Sequence, residues 1–563
     1  QVVTNNYAIV DFPFIKGLSY RINTGIRKTS TDYSNYIPRT TKTGFEARGV
    51  ANTLRRIEDN TVIENILNYS REFGEHTINA TGLYSYESNT GSSNSETARG
   101  FPHDFLTYYS MAQAEQITPL YEYFQTHLIS QMLRLNYSYG GKYLVTVTGR
   151  RDGYSGFGAN NKWGVFPSVA LGWNLEKENF FPQQSFVDRL KIRASYGKNG
   201  NQAVNAYESI SRLGENNMVS LTQTQPGYVP AKLGQDNLGW ESTGTFNLGL
   251  DFSLFKGRIL GDVNVFKTNT TDLLLNRTIS LVHGITSITQ NIGKTENKGI
   301  ELTLNTRNID GKNFSWSTSG NFSFLKNEIT SLYGYLDKEG KEINDAANSW
   351  FIGKPILVNY DYVYAGVWQL NEADEAAKWG SKPGGAKLKD VVEDGKLTAE
   401  DRQVIGQRDP KILWGLSNLF SYKNFSLEVF IHGVHGITKE NRLLQDASAS
   451  SEVRRNVMAK NWWTPENPTN DFYANAVNAE KMAGISAVIY ENASFIRIKD
   501  ISLAYDLPAS VLNKAGLSRL KVYMTGRNLV TFTKWTGSDP ELNFGRGALP
   551  LQREIVLGLN VQL

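Results

Sequence analysis

Residues 314–324 read FSWSTSGNFSF, and this stretch decides the fold class. Aromatic side chains take every second position at both ends of the stretch, and most positions between them hold serine. Positions two apart share a face in a strand but lie on opposite sides of a helix. The pattern therefore predicts a β-strand with one apolar and one polar face.

The same period of two recurs along the chain, so the first stretch is one of many strands. Four further stretches alternate clearly between apolar and polar residues: 246–254, 300–304, 425–431 and 555–563. A parity switch at Lys499-Asp500, where the apolar positions slip by one, predicts a β-bulge.

Composition excludes several classes of protein. The chain has 563 residues, no cysteine, and 59 Lys+Arg against 55 Asp+Glu, a formal net charge of +4. Without cysteine there are no disulfides, thiolate metal sites or cysteine nucleophiles. The nearly balanced charge argues against a nucleic-acid partner. No apolar run reaches the roughly 18 residues that mark a membrane-spanning helix, and no nucleophile-elbow, Walker A or zinc-protease motif indicates an enzyme.

Two architectures repeat such two-faced strands. A soluble sandwich or propeller turns the apolar face inward, whereas a membrane β-barrel turns it outward to lipid. The strands here exceed the length of about 9–11 residues that a tilted bilayer crossing needs, and aromatic residues gather near strand ends. Short and long connections also alternate. These features favour an all-β fold, a transmembrane antiparallel barrel with long outer loops.

The alternation places seventeen strands. They are predicted near 5–14, 17–27, 53–73, 76–90, 124–140, 142–152, 163–178, 188–200, 240–255, 258–269, 290–307, 313–327, 411–422, 424–436, 493–507, 519–533 and 553–563. The long connections are 28–52, 91–123, 201–239, 270–289, 328–410, 437–492 and 534–552. The carboxyl terminus then lies on the side of the short turns, which is the periplasmic side in bacterial barrels.

An odd strand number cannot close an antiparallel single-chain bacterial barrel. An open edge in hydrocarbon would also leave backbone groups unpaired, at several kcal/mol each. We therefore expect residues 1–563 to be the C-terminal part of a longer barrel, with the first strands and any plug domain lying outside this chain.

Eight short motifs resemble the SusC/RagA-like family of TonB-dependent outer-membrane transporters. In chain order they are LGWEST (238–243), TDLL (271–274), NIG (291–293), NKGIE (297–301), NWWTPENP (461–468), FIRIKDISL (495–503), GRNL (526–529) and DPE (539–541). Each motif alone is weak, but their order and spacing cover residues 140–563. The terminal Leu563 departs from the aromatic residue with which the family usually ends.

This resemblance implies a 22-stranded barrel in a Gram-negative outer membrane, with extracellular loops and a periplasmic C-terminus. It also implies three partners: membrane lipid, a SusD-like surface lipoprotein that caps the barrel, and the TonB complex, reached through a plug that has no counterpart in these residues.

Aromatic and basic residues are the predicted substrate contacts. Tryptophans of the outer loops can stack on sugar rings, and the set is Trp240, Trp350, Trp368, Trp462 and Trp463. Polar residues of the inner wall can steer a solute, chiefly Arg193 and Arg527, with Arg150, Lys191, Glu301 and Lys521. The alternatives are packing within the loops for the tryptophans and internal ion pairs for the charged residues.

Residues 390–401 resemble a calcium loop. Asp390, Asp394 and Asp401 take the positions of carboxylate ligands, Gly395 the position of the sharp turn, and Lys396 the position of a carbonyl ligand. Val392 replaces an expected Asp or Asn, which removes one oxygen ligand. We predict weak Ca²⁺ binding, with a solvated acidic loop as the alternative.

The favoured function is active import of oligomeric nutrients, glycan or peptide, across the outer membrane with a SusD-like lipoprotein and TonB. The alternatives are a structural or interaction barrel within a surface complex and a passive porin. None of the three is an enzyme.

Overall fold

The computed structural model describes residues 1–182, 186–220, 223–280, 282, 284–441, 459–476, 478–512, 516–542 and 551–562. Within these residues the fold is almost wholly β. The first fourteen strands are β1 (Val2–Asp11), β2 (Leu18–Ile37), β3 (Val50–Phe73), β4 (His76–Arg99), β5 (Gln116–Tyr139), β6 (Tyr143–Tyr154), β7 (Trp163–Asn174), β8 (Val187–Asn201), β9 (Arg212–Ser220), β10 (Gln223–Lys232), β11 (Glu241–Leu254), β12 (Ile259–Thr271), β13 (Leu274–Thr278) and β14 (Ser287–Asn291).

The remaining strands follow the same chain order. They are β15 (Lys294–Asp310), β16 (Phe314–Ser331), β17 (Val358–Asp361), β18 (Tyr364–Val367), β19 (Ala386–Leu388), β20 (Gln403–Gln407), β21 (Ile412–Tyr422), β22 (Phe425–His435), β23 (Thr438–Glu440), β24 (Lys481–Met482), β25 (Ile485–Ser486), β26 (Tyr490–Asn492), β27 (Phe495–Asp506), β28 (Arg519–Thr533) and β29 (Glu554–Gln562).

Helices are short and lie in the connections. The α-helices are α1 (Lys42–Glu46), α2 (Ala373–Lys378) and α3 (Ala509–Leu512), and 3₁₀ turns cover Thr107–Gln113, Leu175–Lys177, Leu370–Glu372 and Ala399–Asp401. The start of α1 is fixed by Thr41, whose hydroxyl accepts a hydrogen bond from the Gly44 backbone N–H at 3.0 Å. In the described part of the chain, no helix has the length and apolar character that a membrane crossing requires.

Seventeen strands belong to one sheet, which we call the main sheet: β1–β8, β11, β12, β15, β16, β21, β22 and β27–β29. Each of the seventeen predicted strands overlaps one of them, so the predicted all-β antiparallel architecture is confirmed. The other described strands pair in six small two-stranded sheets within the connections.

The chain divides into two compact units. The first comprises Gln1–Asn179, Ile192–Asn247 and Thr268–Lys294, and the second comprises Phe180–Lys191, Leu248–Lys267 and Thr295–Leu563. In the first unit, consecutive antiparallel ladders run from β1 to β7. In the second, they run from β16 through β21, β22, β27 and β28 to β29.

Strand register in the second unit gathers the predicted apolar positions on one face. One cross-strand row, taken in order through six strands, is Trp316, Phe420, Leu427, Leu503, Met524 and Leu557. The adjacent row on the other face is Ser317, Leu419, Glu428, Ser502, Thr525 and Val556, which is much more polar. We call these the apolar face and the polar face of the main sheet. A one-residue slip at any strand would mix them.

Aromatic rings form a row beside the short turns of the first unit. Phe73, His76, Tyr139, Tyr143 and Trp173 follow one another across β3 to β7, with successive ring centroids 5.8, 5.0, 6.5 and 6.4 Å apart. They lie on the parity that carries the apolar side chains. A girdle of this kind is typical of strand ends at a membrane–water interface.

The predicted β-bulge is confirmed. The ladder between β27 and β28 shifts register between Ile498 and Asp500, and the ladder between β22 and β27 shifts opposite it, between Phe430 and Ile431. The extra residue, Lys499, returns the apolar side chains that follow it to the same face as those before it.

Two predicted loops were wrong, because strands extend far into them. The loop predicted at 28–52 holds the end of β2 and the start of β3. The loop predicted at 91–123 holds the end of β4 and the start of β5, which each have 24 residues. The extensions at 28–37 and 91–99 are rich in Ser, Thr and Asn on both faces. Backbone pairing holds them without an apolar face, so a search for alternation could not find them.

Candidate functional site

Three of the sequence motifs meet at the side chain of Asn291. Its amide oxygen accepts a hydrogen bond from the Gly239 N–H at 2.7 Å. Its amide nitrogen donates to the carbonyl oxygens of Gly239 and Asp272, both at 2.9 Å. One side chain thus satisfies three backbone groups at the ends of β11, β12 and β14, and this role is structural.

Glu241 completes the same cluster. Its carboxylate accepts a hydrogen bond from the Leu274 N–H at 2.8 Å and another from the Asn201 side-chain amide at 2.6 Å. The motif residues of the first unit therefore fix where long connections leave the main sheet.

Two further motifs meet at Arg497, whose side chain is 1 % exposed. Its guanidinium pairs with Asp539 at 2.8 Å and Glu541 at 2.5 Å, and donates to the Thr531 hydroxyl at 2.9 Å. A buried guanidinium is tolerated only when such partners surround it. These two ion pairs tie the connection after β28 to the strand β27.

A hydrophobic cluster in the second unit, which we call the loop core, is built wholly from connections. Its buried members are Val367, Trp368, Ala376, Ala386, Leu388, Trp463, Phe472, Tyr473, Ala479, Met482, Ala487 and Ile489. They come from the long loops predicted at 328–410 and 437–492, although residues 442–458 and 477 of the second loop lie outside the described residues. The two loops therefore pack as one body.

Two of the five predicted stacking residues belong to the loop core. Trp368 is 3 % exposed, with the Lys387 ammonium 4.3 Å from its ring centre. Trp463 is 6 % exposed, and its indole N–H donates to the Gln369 side-chain oxygen at 2.9 Å. Stacking on a solute requires an open ring face, which neither side chain offers here. For this pair, the structure matches the packing alternative.

The other three predicted tryptophans are more accessible. Trp462 is 37 % exposed, next to its buried neighbour in the chain. Trp350 is half-buried, and Trp240 packs against Phe157 and Phe166 with ring centres 5.1 and 5.4 Å away. Their contact with substrate stays a prediction.

A polar cavity of about 470 Å³ lies in the first unit. Arg150 pairs there with Asp152 at 2.8 Å and donates to the Ser130 hydroxyl at 3.0 Å. The lining residues are Leu128, Arg150, Asp152, Phe166, Asn199, Gly200, Asn201, Gln202 and Trp240. Two predicted residues, Arg150 and Trp240, thus share one cavity. No motif of the sequence marks Asp152 or the asparagines, although the polar parity of β6 predicts the position of Asp152.

The remaining predicted charged residues are dispersed along the strands. Arg527 is exposed between Asp500 and Glu554, at 3.5 and 3.4 Å. The others lie on three strands: Arg193 and Lys191 half-buried on β8, Lys521 half-buried on β28, and Glu301 exposed on β15. For Arg527 the arrangement is the predicted internal ion pair. A part in steering substrate stays a prediction for all of them.

The carboxylates of the predicted calcium loop are occupied by backbone donors. Asp401 is buried and accepts hydrogen bonds from the N–H groups of Val391, Val392 and Thr398 at 2.9, 3.1 and 2.7 Å. The Thr398 N–H, followed by the other donors, holds the pKa of Asp401 below its ordinary value. This carboxylate closes the loop on itself.

The two other carboxylates are used in the same way. Asp390 accepts from the N–H groups of Glu393 and Gly395 at 2.9 and 3.0 Å, and Asp394 accepts from the Lys396 N–H at 2.9 Å. Among the described residues, no group of three or more His, Asp or Glu is placed to hold a metal. The loop is thus closed by its own backbone donors, and calcium binding stays a prediction.

Near the loop core, Lys460 lies over the ring of Phe472, with the ammonium 3.4 Å from the ring centre. Burial lowers the pKa of Lys460 to about 7, because the loop core takes water away from the charged form. The aromatic ring opposes this effect by attracting the cation.

The family model and the similar proteins point to the same family. The family model described as TonB dependent receptor-like, beta-barrel matches residues 4–431. The TonB-dependent receptor P3 of Formosa agariphila is 33% identical over 98% of this chain and 57% of its own length. The TonB-dependent receptor SusC of Bacteroides thetaiotaomicron is 31% identical over 77% of this chain and 44% of its own.

Solved structures share the fold. A structure titled as the RagAB peptide transporter superposes on all of this chain and 61% of the other, with a TM-score of 0.82 and 24% sequence identity. The chain spans about half the length of the curated relatives that it matches.

Proposed function

This chain belongs to the TonB-dependent receptor-like β-barrel family, with SusC among its relatives and the RagAB peptide transporter sharing its fold, and we propose that it is the wall of an outer-membrane importer of oligomeric nutrients. The observation that supports this most is the separation of the main sheet into an apolar and a polar face. In a membrane barrel, the first contacts lipid and the second lines the passage.

Orientation follows from the connections. Short turns link β3 to β4, β5 to β6 and β21 to β22, whereas the loop core belongs to long connections. Outer-membrane barrels place short turns in the periplasm and long loops outside the cell. We therefore place the loop core at the cell surface and β29 with its C-terminal end towards the periplasm.

The polar cavity supports a neutral, hydrogen-bonding substrate. The charge of Arg150 is balanced by Asp152, and the other polar lining groups are amides of Asn199, Asn201 and Gln202. Such a lining can bind the hydroxyls of a glycan or the backbone of a peptide, and Trp240 adds an apolar surface. Import of either kind of oligomer is consistent with it.

The loop core supports a lid partner. A SusD-like lipoprotein closing over the barrel needs a surface that holds its shape, and two loops packed around common buried side chains provide one. Energy for import would come from the TonB complex through a plug domain.

The direct test is uptake by cells that produce the full-length receptor. Labelled oligosaccharides and oligopeptides are supplied in turn, with the matching monomers as controls. The proposal expects deletion of the gene, or depletion of TonB, to abolish uptake of one class of oligomer while monomer uptake is unchanged. Oligomer uptake that persists without TonB would instead indicate a passive porin.

The partner is tested separately by purification from native membranes in mild detergent. A lidded importer should bring a surface lipoprotein with it at a fixed ratio. An intact receptor that emerges alone, in detergents that preserve its folded form, would argue for a barrel without a lid.

A further inference from the structure

The apolar face of the first unit carries a groove where side chains are missing. Its volume is about 640 Å³, and its floor lies at Gly82 of β4 and Gly149 of β6. Both glycines pair across the ladder with Leu133 of β5, one on each side. The groove is thus a pair of notches flanking one exposed leucine. We call it the glycine groove.

No constraint of the backbone accounts for the two glycines. Neither has a positive φ, and a Cβ atom placed on either would meet nothing within 4 Å. Glycine weakens a strand because it adds flexibility and buries nothing. The effect of the two glycines is therefore to leave out a side chain, and this opens space between Leu67, Leu133 and Val165.

Polar side chains line the end of the groove away from the short turn. Gln131 and Arg151 are paired across the ladder, two residues beyond Leu133 and Gly149 on the same parity. Both are exposed, and the Arg151 guanidinium lies 4.2 Å from the ring centre of Trp163. Among the described residues, no carboxylate lies within ion-pair distance of Arg151. A cation on an apolar face without an anion calls for an external one.

The position of Arg151 along its strand is close to that of a membrane–water interface. It lies eight residues beyond Tyr143, a member of the aromatic row, and on the same parity. At about 3.3 Å per residue and a tilt of about 45°, the two lie roughly 19 Å apart along the membrane normal. The apolar band of such barrels is about 25 Å tall. Arg151 can therefore extend its head group to the far interface.

We propose that the glycine groove binds one anionic membrane lipid, with acyl chains in the notches at Gly82 and Gly149 and the phosphate against Arg151. This inference rests on the proposed membrane location but not on transport or on any substrate. The order of the groups matches a lipid of the outer leaflet: the cation lies on the long-loop side, and the notches lie towards the short turn. The indole of Trp163 holds the guanidinium in place by cation–π attraction.

The test uses the full-length receptor in nanodiscs that contain phosphatidylglycerol and phosphatidylcholine in equal amounts. Native mass spectrometry reports which lipid stays bound. The wild type is expected to retain one phosphatidylglycerol in preference to phosphatidylcholine. Arg151→Gln should reduce this preference about tenfold, the factor that one charge-assisted contact provides. Gly149→Leu, which fills one notch, should reduce retention of both lipids.

Matched controls separate the groove from general effects. Arg55→Gln removes another exposed arginine of the same sheet, and Val147→Leu enlarges an outward side chain outside the groove. Both variants should retain lipid as the wild type does. Equal retention of the two lipids by the wild type would overturn the proposal, as would an unchanged preference in Arg151→Gln. Uptake assays do not enter this outcome, so a failure of the groove and a failure of the importer can be told apart.

Discussion

The main sheet and the loop core obey opposite rules of burial within one chain. In the wall strand β27, which is paired on both sides, Leu503 is 44 % exposed, while the Trp463 side chain of the loop core is 6 % exposed. Both side chains are apolar, yet one is exposed and the other is buried in the same folded chain. The proposed membrane location accounts for the difference through the surroundings: the sheet's apolar face would meet hydrocarbon, whereas the loop core meets water and must hide its apolar groups.

The largest expected effect lies in the loop core. Trp463→Ala should lower the local unfolding free energy of the loops by about 3–5 kcal/mol, because it removes a buried indole and leaves a cavity. Hydrogen exchange of residues 364–390 would report the change. Trp462→Ala is the matched control, since the neighbouring indole is partly exposed. An equal loss of local unfolding free energy in the two variants would mean that burial of Trp463 in the loop core does not stabilise the loops.

A charge on the apolar face should cost somewhat less. Leu250→Arg, at an exposed apolar position of β11, should lower barrel stability by about 2–4 kcal/mol if it lies near the bilayer midplane. Ser317→Arg, on the polar face, should cost much less. Urea unfolding in lipid vesicles measures both. Similar costs at the two sites would show that both faces meet the same solvent.

The anchor at Asn291 should have an intermediate effect. Asn291→Ala leaves three backbone hydrogen-bonding groups without a partner and should cost about 1–3 kcal/mol, seen as faster proteolysis of the connections around 272–291. Gln290→Ala is the control, because its side-chain hydrogen bonds are long, at 3.5 Å. Protection that survives the loss of Asn291 would remove its role as an anchor.

The sequence predicted features that depend on neighbouring residues better than features that depend on residues far apart in the chain. Strand parity is a local property, so residues 314–324, the other alternating stretches and the bulge at Lys499 could be predicted from their neighbours in the chain. The loop core, the pair of Arg497 with Asp539, and the polar cavity unite residues dozens to more than a hundred positions apart. No periodicity marks such contacts. The motif residues were noticed for their resemblance, and their role as anchors became visible only through their hydrogen bonds.

The smallest effect is expected at the loop 390–401. Addition of Ca²⁺ or a chelator should change its protection from protease by less than about 0.5 kcal/mol, because its carboxylates already accept backbone N–H groups. Val392→Asn restores the missing oxygen ligand and should make that protection depend on calcium. A clear calcium effect in the wild type would show that the loop rearranges to bind the ion.

The central claim is that the apolar face of the main sheet contacts lipid and the polar face lines a watery passage. Because the chain contains no cysteine, single cysteines can be placed at Phe314, Ser315, Trp316, Ser317, Phe322 and Ser323 and their accessibility read in membranes. The account predicts strict alternation: the serine positions react with a membrane-impermeant thiol reagent, while spin labels at the aromatic positions are accessible to oxygen in the lipid. Uniform reactivity along the strand, or the reverse alternation, would contradict it.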